Sequence, residues 1–212
     1  MRRLWWGFLR FAFRLFYNQF AWTYDFVAWV VSLGQWKAWG RTTIPHLRGE
    51  RVLELAHGPG HLLVAMAERG LSPVGLDLSP HMARLTRRQL RKAGLTIPLV
   101  RARAQTLPFR DGCFDSAVAT FPAEFIVARV TLREAARVLE PGGKLVVALG
   151  ALPGRRGPIP SFIRWLYRIT EQRDMLPKGG EALLRRAGFS PCVQWETVGQ
   201  SRVLLVTAEK VR

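Results

Sequence analysis

Cysteine is scarce in this sequence. The 212-residue chain has two, Cys113 and Cys192, far apart and both in apolar, strand-like surroundings. No C-x-x-C spacing occurs, so neither a disulfide framework nor a cysteine-based metal site is expected. A reducing, cytoplasmic setting is the default, with both thiols as packing residues. Lysine is scarce too, at five of 32 basic residues, and the 15 acidic residues leave a formal charge of +17. So strong an arginine bias can come from GC-rich coding. The resulting field attracts polyanions or anionic lipid whatever its origin. Internal repeats and low-complexity stretches are absent, and the length suits one domain with a substantial core.

A third glycine is missing where a dinucleotide site would need it. Val52, Leu53 and Leu55 make an apolar run short enough for a buried strand. Gly58 and Gly60 interrupt it, and Leu62 to Arg69 resumes at helical spacing and stops at Gly70. The pattern is strand, glycine turn, helix, and a glycine turn lets a ligand approach bare backbone. The pyrophosphate fingerprint G-x-G-x-x-G is incomplete here. Glu54, at the strand's end, is placed to accept hydrogen bonds from a ribose or an ammonium group.

About twenty residues on, Pro73-Val-Gly-Leu-Asp77 reads as another buried strand closing on an acid, the place where doubly wound folds bind a ribose diol. Ser79 then caps a helix and Pro80 suits its first turn. Two strand-end acids around one glycine turn describe a nucleoside pocket without a pyrophosphate site.

With these residues in place the chain resembles the class I S-adenosylmethionine-dependent methyltransferases. The resemblance rests on Glu54-Leu-Ala-His-Gly-Pro-Gly60, with Ala56 where glycine is usual, and on Gly75-Leu-Asp-Leu-Ser-Pro-His-Met82. Ala104-Gln-Thr-Leu-Pro-Phe-Arg-Asp-Gly-Cys-Phe-Asp115 and Leu132-Arg-Glu-Ala-Ala-Arg-Val-Leu-Glu-Pro-Gly-Gly-Lys144 extend it. It implies a doubly wound, seven-stranded, Rossmann-like α/β sheet with an antiparallel last strand, and S-adenosylmethionine as cofactor. It also implies that Glu54, Ala56, His57, Gly58, Gly60, Asp77, Leu78, Met82, Ala104, Gln105 and Thr120 surround that cofactor. Arg103 stands where the family usually has an acid for the adenine amino group, which shifts that role to the backbone near Ala104 and to Gln105.

Residues 1–44 form a separate segment ahead of the methyltransferase domain expected over 45–212. Trp5, Trp6, Phe8, Leu9, Phe11, Phe13, Leu15, Phe16 and Phe20 crowd it. On a helix, Arg3, Gly7, Arg10, Arg14, Asn18 and Asp25 share a polar stripe about 80° wide. Such an aromatic amphipathic helix suits an anionic membrane interface, packing on the domain, or a span; the central Asp25 weighs against the span. Arg10 and Arg14 break the early apolar run, and no small-residue cleavage site follows, unlike a signal peptide. Tyr24-Asp25 and Ser32-Leu-Gly-Gln-Trp-Lys-Ala-Trp-Gly-Arg-Thr-Thr-Ile44 resemble the N-terminal part of the ubiquinone/menaquinone biosynthesis C-methyltransferases, with Ala28 where that family shows asparagine. That likeness implies an aromatic lid over the pocket, with Tyr24 and Phe121 facing a hydrophobic small-molecule acceptor such as a prenylated quinol or a phospholipid headgroup.

Downstream, helices are expected over 80–93, 129–139 and 181–187, and strands over 97–102, 114–120, 144–149, 192–198 and 202–208, with helices between the first five strands. Thr120-Phe-Pro-Ala-Glu-Phe125 lacks the Asn/Asp-Pro-Pro-aromatic tetrad of adenine amino methyltransferases. Glu124 is the nearby carboxylate that could serve as a base, or it simply starts the next helix. Pro153 to Pro160 is a loop rich in breakers, and Phe162 to Arg168 suits a short aromatic and arginine-bearing helix. No metal is expected. Two rivals stay open: an RNA methyltransferase using the arginine-rich helix 80–93, and a non-catalytic binding protein, suggested by Ala56 and Arg103.

Overall fold

The computed structural model describes residues 34–122, 124–152, 154 and 179–211. The aromatic segment through residue 33, Tyr24 within it, and the expected helix at 162–168 lie outside the described residues.

Helix α1 (Trp36–Arg41) and a 3-10 turn (Ile44–His46) lead into strand β1 (Arg51–Leu55). Helix α2 (His61–Ala67), β2 (Ser72–Leu76), α3 (Pro80–Lys92) and the short β3 (Leu99–Val100) follow. Then come β4 (Phe114–Thr120), a 3-10 turn (Glu124–Val127), α4 (Arg129–Val138), β5 (Leu139–Leu152), α5 (Gly180–Arg186), β6 (Phe189–Val198) and β7 (Ser201–Lys210). The seven strands form one sheet in the order β3-β2-β1-β4-β5-β7-β6. The pairings among β1 to β5 are parallel, whereas β7 runs antiparallel to both β5 and β6. The expected doubly wound sheet with a reversed last strand is therefore present.

Both faces of the sheet are covered, which is why its central strands are buried along most of their length rather than alternating. Leu53, Leu55, Ala117, Leu145 and Val147 pack with Leu132, Ala135 and Val138 of α4 on one face. Val52, Val118 and Val146 meet Leu62, Leu63 and Met66 of α2 on the other. Trp39 of α1 is buried against Ala148, Ala151, Val203 and Leu205, so α1 covers the β5–β7 part of the sheet.

Three expectations need correction. No helix joins β3 to β4: residues 101–113 contain none. Pro108 and the Asp111-Gly112 turn (Gly112 φ 63°) break any helix there. Arg137 of α4 then holds the loop, donating to the carbonyls of Leu107 (2.9 Å) and Phe109 (2.8 Å) while paired with Glu134 and Asp111. Second, β3 is shorter than 97–102. It is an edge strand, and Pro98 can only accept, taking the Gly75 N–H at 2.9 Å. Third, β5 is longer than 144–149. Its pairing with β4 begins at Phe114–Leu139, jumps at Glu140 to Gly143, and resumes at Ser116–Lys144. The Pro141-Gly-Gly turn is thus a bulge inside the strand rather than a gap before it.

Candidate active site

The carboxyl ends of β1 and β4 open into a cleft. Its base is Glu54, its loop wall Ala56, His57, Gly58 and Pro59, and its far side Thr120 and Phe121. Trp36, Lys37 and Gly40 of α1 and His61 and Leu62 of α2 complete the lining.

Glu54 is the unusual group. It is 1% exposed, and its Oε2 has no hydrogen-bond partner. Burial pushes its carboxyl well above the usual range. The nearby Asp77 charge adds to the rise, and a hydrogen bond from the Leu63 backbone opposes it. A buried carboxyl with an open oxygen at the base of a cleft is suited to a donor or a cation from a ligand.

The loop after β1 turns on left-handed residues: Ala56 (φ 56°), Gly58 (φ 53°) and Gly60 (φ 82°). A side chain at Gly58 would meet nothing within 4 Å, so its backbone faces open space. The Gly58 peptide is tied at both ends. Its N–H donates to Asp77 Oδ2 at 3.0 Å, and its carbonyl accepts from the Thr86 hydroxyl at 2.8 Å. His57 Nδ1 lies 2.8 Å from the same carbonyl. A carbonyl only accepts, so Nδ1 carries the ring proton. Burial lowers the His57 pKa, with partial opposition from Asp77, and keeps the ring neutral.

Asp77 accepts a second backbone bond, from Ser79 N–H at 2.8 Å, and Ser79 Oγ caps α3 by accepting from Met82 N–H at 3.3 Å. The cap expected at Ser79 is therefore present, and Asp77 joins the two loops that border the cleft.

At the end of β4, Phe121 holds φ 49°, a costly conformation for a bulky residue. Its N–H pairs with Ala148 O at 2.7 Å. Its ring stacks tilted on Trp36 with centroids 4.3 Å apart, and Trp39 approaches edge-on at 6.3 Å. The strain aims an aromatic wall across the cleft.

Of the residues singled out from sequence, the cleft gathers Glu54, Ala56, His57, Gly58, Thr120 and Phe121. Gly60 and Asp77 stand one contact behind it. Met82 is fully buried and Ala104 nearly so, Gln105 is half-buried, and Leu78 is 54% exposed, none of them in the lining. Glu124 opens the 3-10 turn after β4, and its side chain lies outside what the structure describes. Sequence reasoning missed Lys37, His61 and Thr86. A signal existed for the first two, since Lys37 lies within the stretch that resembles the quinone enzymes and His61 directly follows the glycine motif. Thr86 had none beyond falling on the buried face of α3.

A profile of the family described as "Methyltransferase domain" matches residues 53–147. A demethylmenaquinone methyltransferase of Thermus thermophilus is 35% identical over 170 residues, 77% of this chain and 75% of that protein. Another so named, from a Mycobacterium species, is 36% identical over 149 residues, 68% of this chain and 62% of that one. Among solved structures, geranyl diphosphate C-methyltransferase of Streptomyces coelicolor, with Mg2+, geranyl diphosphate and S-adenosyl-L-homocysteine, superposes with a TM-score of 0.61. At 16% identity over 82% of this chain and 79% of that one, it shows the fold. A protein of Pyrococcus horikoshii does likewise, with a TM-score of 0.57, 21% identity and 77% and 83% coverage.

Sheet order and glycine cleft define a class I methyltransferase fold. The chain belongs to the S-adenosylmethionine-dependent methyltransferases, in the family that includes the demethylmenaquinone enzymes. The site fits the cofactor, since the orphaned Glu54 oxygen suits its ammonium or hydroxyl donors and the bare Gly58 backbone admits close approach. Among the described residues, no group of three or more His, Cys, Asp or Glu could hold a metal ion, and no helix is long and apolar enough to cross a membrane.

Proposed function

We propose that this methyltransferase acts on a ring carbon of a quinol-type acceptor with a hydrophobic tail, taken up at a membrane surface. The observation that carries this reading is the aromatic wall of Trp36 and Phe121 beside the exposed Lys37 on the rim of the cofactor cleft. The relatives named for demethylmenaquinone, at about 35% identity, support the same acceptor class.

S-adenosylmethionine supplies an electrophilic methyl group when bound. Glu54, the Gly58 backbone and Thr120 hold the cofactor, and Asp77, Gly60 and Thr86 hold the loop that does so. Ala104 and Gln105 are assigned to the adenine side, and Leu78 and Met82 to the cofactor pocket, as the family resemblance implies. Phe121 and Trp36, packed on each other, present one aromatic wall for a flat ring to lie against, which sets its orientation and excludes water. A ring carbon becomes nucleophilic when the neighbouring hydroxyl loses its proton, and the Lys37 ammonium favours that oxyanion. Glu124 and Tyr24 are proposed to complete the acceptor side.

The test is methyl transfer by the full chain to a reduced, short-chain demethylmenaquinol, followed by mass spectrometry of the product. One added methyl on ring carbon supports the reading. Transfer to phosphatidylethanolamine or to RNA in its place, with no quinol product, would overturn it.

A further inference from the structure

We infer that the α3–β3 edge of the molecule is a docking face for an anionic phospholipid surface, gripped through the outward arginines of α3. The inference deepens the proposed function, because it names the surface that would bring the cleft to a membrane-borne acceptor.

The charge distribution singles out this edge. Residues 78–110 contain eight basic residues and no acidic one. They form α3, β3 and the loop beyond, and β3 is one border of the sheet. Toward the opposite border, on α5, β6 and β7, Glu181, Glu196 and Glu209 nearly balance Arg185, Arg186, Arg202 and Lys210. Docking by charge therefore has a direction.

The arginines of this edge also differ in what they touch from the ion-paired arginines among the described residues. Arg48, Arg51, Arg137 and Arg185 each meet a carboxylate. Arg84, Arg87, Arg88 and Arg91 meet none among the described residues; Arg84 only approaches His81 Nδ1, at 3.4 Å. They line a shallow groove around Leu85 and are all exposed. Four clustered guanidinium groups without an internal counter-charge suit lipid phosphates.

The inner face of the same helix reaches the active site. Thr86 donates to the Gly58 carbonyl at 2.8 Å, and Gln89 contacts His61, which lines the cleft. A bilayer held against the outer face thus lies one helix away from the pocket.

RNA is the competing polyanion, and the residue types argue against it. The only Phe, Tyr or Trp in 78–110 is Phe109. Its ring is committed edge-on to Phe114 at 5.0 Å, which leaves His81 as the one ring in the groove and no Phe, Tyr or Trp platform for successive bases.

The experiment is co-sedimentation of the full chain with vesicles of phosphatidylcholine, with and without phosphatidylglycerol, at fixed salt. Partition onto phosphatidylglycerol vesicles should fall on the order of 100-fold in the R84Q/R88Q/R91Q triple variant, about fivefold per arginine removed. The lysine triple R84K/R88K/R91K should retain it, and R185Q/R186Q on the opposite border should stay within about twofold of wild type. A loss of about 25-fold in R185Q/R186Q, the same per arginine as in the glutamine triple, would mean net charge alone is read, and would overturn the docking face. Tighter binding of a homopolymer RNA than of the vesicles, abolished by the glutamine triple, would overturn it in favour of nucleic acid. Turnover of the short-chain quinol by the glutamine triple should match wild type. If wild type itself turns over no quinol, the acceptor reading fails, while vesicle partition still decides the docking face.

Discussion

Thr86 reaches the glycine loop through the space that Gly60 leaves by lacking a side chain. A Cβ on Gly60 would collide with Thr86 Cγ2 and lie 3.0 Å from its Oγ1, and Gly60 itself sits at φ 82°. The closeness lets the hydroxyl bond Gly58 and tie α3 to the cofactor loop.

Gly60→Ala should therefore destabilise by about 3 kcal/mol, from left-handed strain and overpacking together. Thr86→Ala alone should cost about 1 kcal/mol for the lost hydrogen bond. The double variant should cost less than the sum by about 1 kcal/mol, because the second change removes the collision. Urea unfolding of the four proteins measures this, and strict additivity would show that the two residues do not share the space.

Glu54→Gln should separate stability from function. The raised carboxyl has an explicit sign. Below about pH 4.5 both folded and unfolded chains hold the proton. Above it the unfolded chain ionises while the folded one does not, so stability falls as pH rises toward the elevated folded value. The amide in the variant cannot ionise, so without cofactor that protein should lose the slope and melt higher than wild type at alkaline pH. Its affinity for S-adenosylmethionine should drop by on the order of 10–100-fold, since a neutral amide replaces a charged acceptor. Wild type should release a proton on binding, visible as a buffer-dependent heat, and its affinity should rise with pH over the same window. Equal affinity in both proteins would remove Glu54 from the cofactor site.

His57 works in the opposite direction. Its depressed pKa means that below about pH 6.5 the unfolded chain takes up a proton that the folded one refuses, so stability is lost as pH falls. His57→Gln should flatten the denaturation midpoint over that acidic range. A midpoint that still falls as steeply from pH 6.5 downward would assign the acid sensitivity to another group.

Much of this architecture could be read in advance, for reasons visible at particular residues. Short apolar runs such as Val52 to Leu55, closed by glycines, specify strands between covered faces, and Ser79-Pro80 marks a helix start by chemistry local to two positions. Glu54 stood out because a carboxylate at the end of an apolar strand is costly to bury unless a ligand meets it. What escaped depends on contacts between distant segments. Pro108 and Asp111-Gly112 are local signals against the expected β3–β4 helix, but that Arg137 holds the loop by binding carbonyls some thirty residues earlier is visible only in the fold. Thr86 reads as one more inward residue on an amphipathic helix until Gly60 is set beside it. Lys37 joins the cleft only because Trp39, two residues on, is buried on β5 and β7 and fixes the face α1 presents.

Ala56 offers a test of strain at a left-handed position that suits glycine. Its φ of 56° costs an L-residue about 1–2 kcal/mol. Glycine removes that cost and adds roughly 0.4–1 kcal/mol of unfolded-state entropy. Ala56→Gly should therefore stabilise by about 0.5–1 kcal/mol, as a higher urea midpoint at unchanged slope. Cofactor affinity should be retained, because the loop already has the conformation glycine prefers. A lower midpoint would mean that the Ala56 methyl makes packing contacts worth more than its backbone strain.

Lys37 is where the proposed chemistry is most exposed to test. It is an exposed residue of the cleft lining, next to Trp36 in α1. If its ammonium favours ionisation of the acceptor hydroxyl, Lys37→Met should lower kcat/KM for a short-chain quinol by about tenfold at neutral pH. The loss should shrink as pH rises and the hydroxyl ionises unaided, shifting the acidic limb of the profile upward. Lys37→Arg should keep the wild-type limb, because the charge remains. Binding of S-adenosylhomocysteine should be the same in all three proteins, which separates an acceptor-side role from a cofactor-side one. A uniform loss at every pH would assign Lys37 to positioning the ring rather than to the charge on its oxygen.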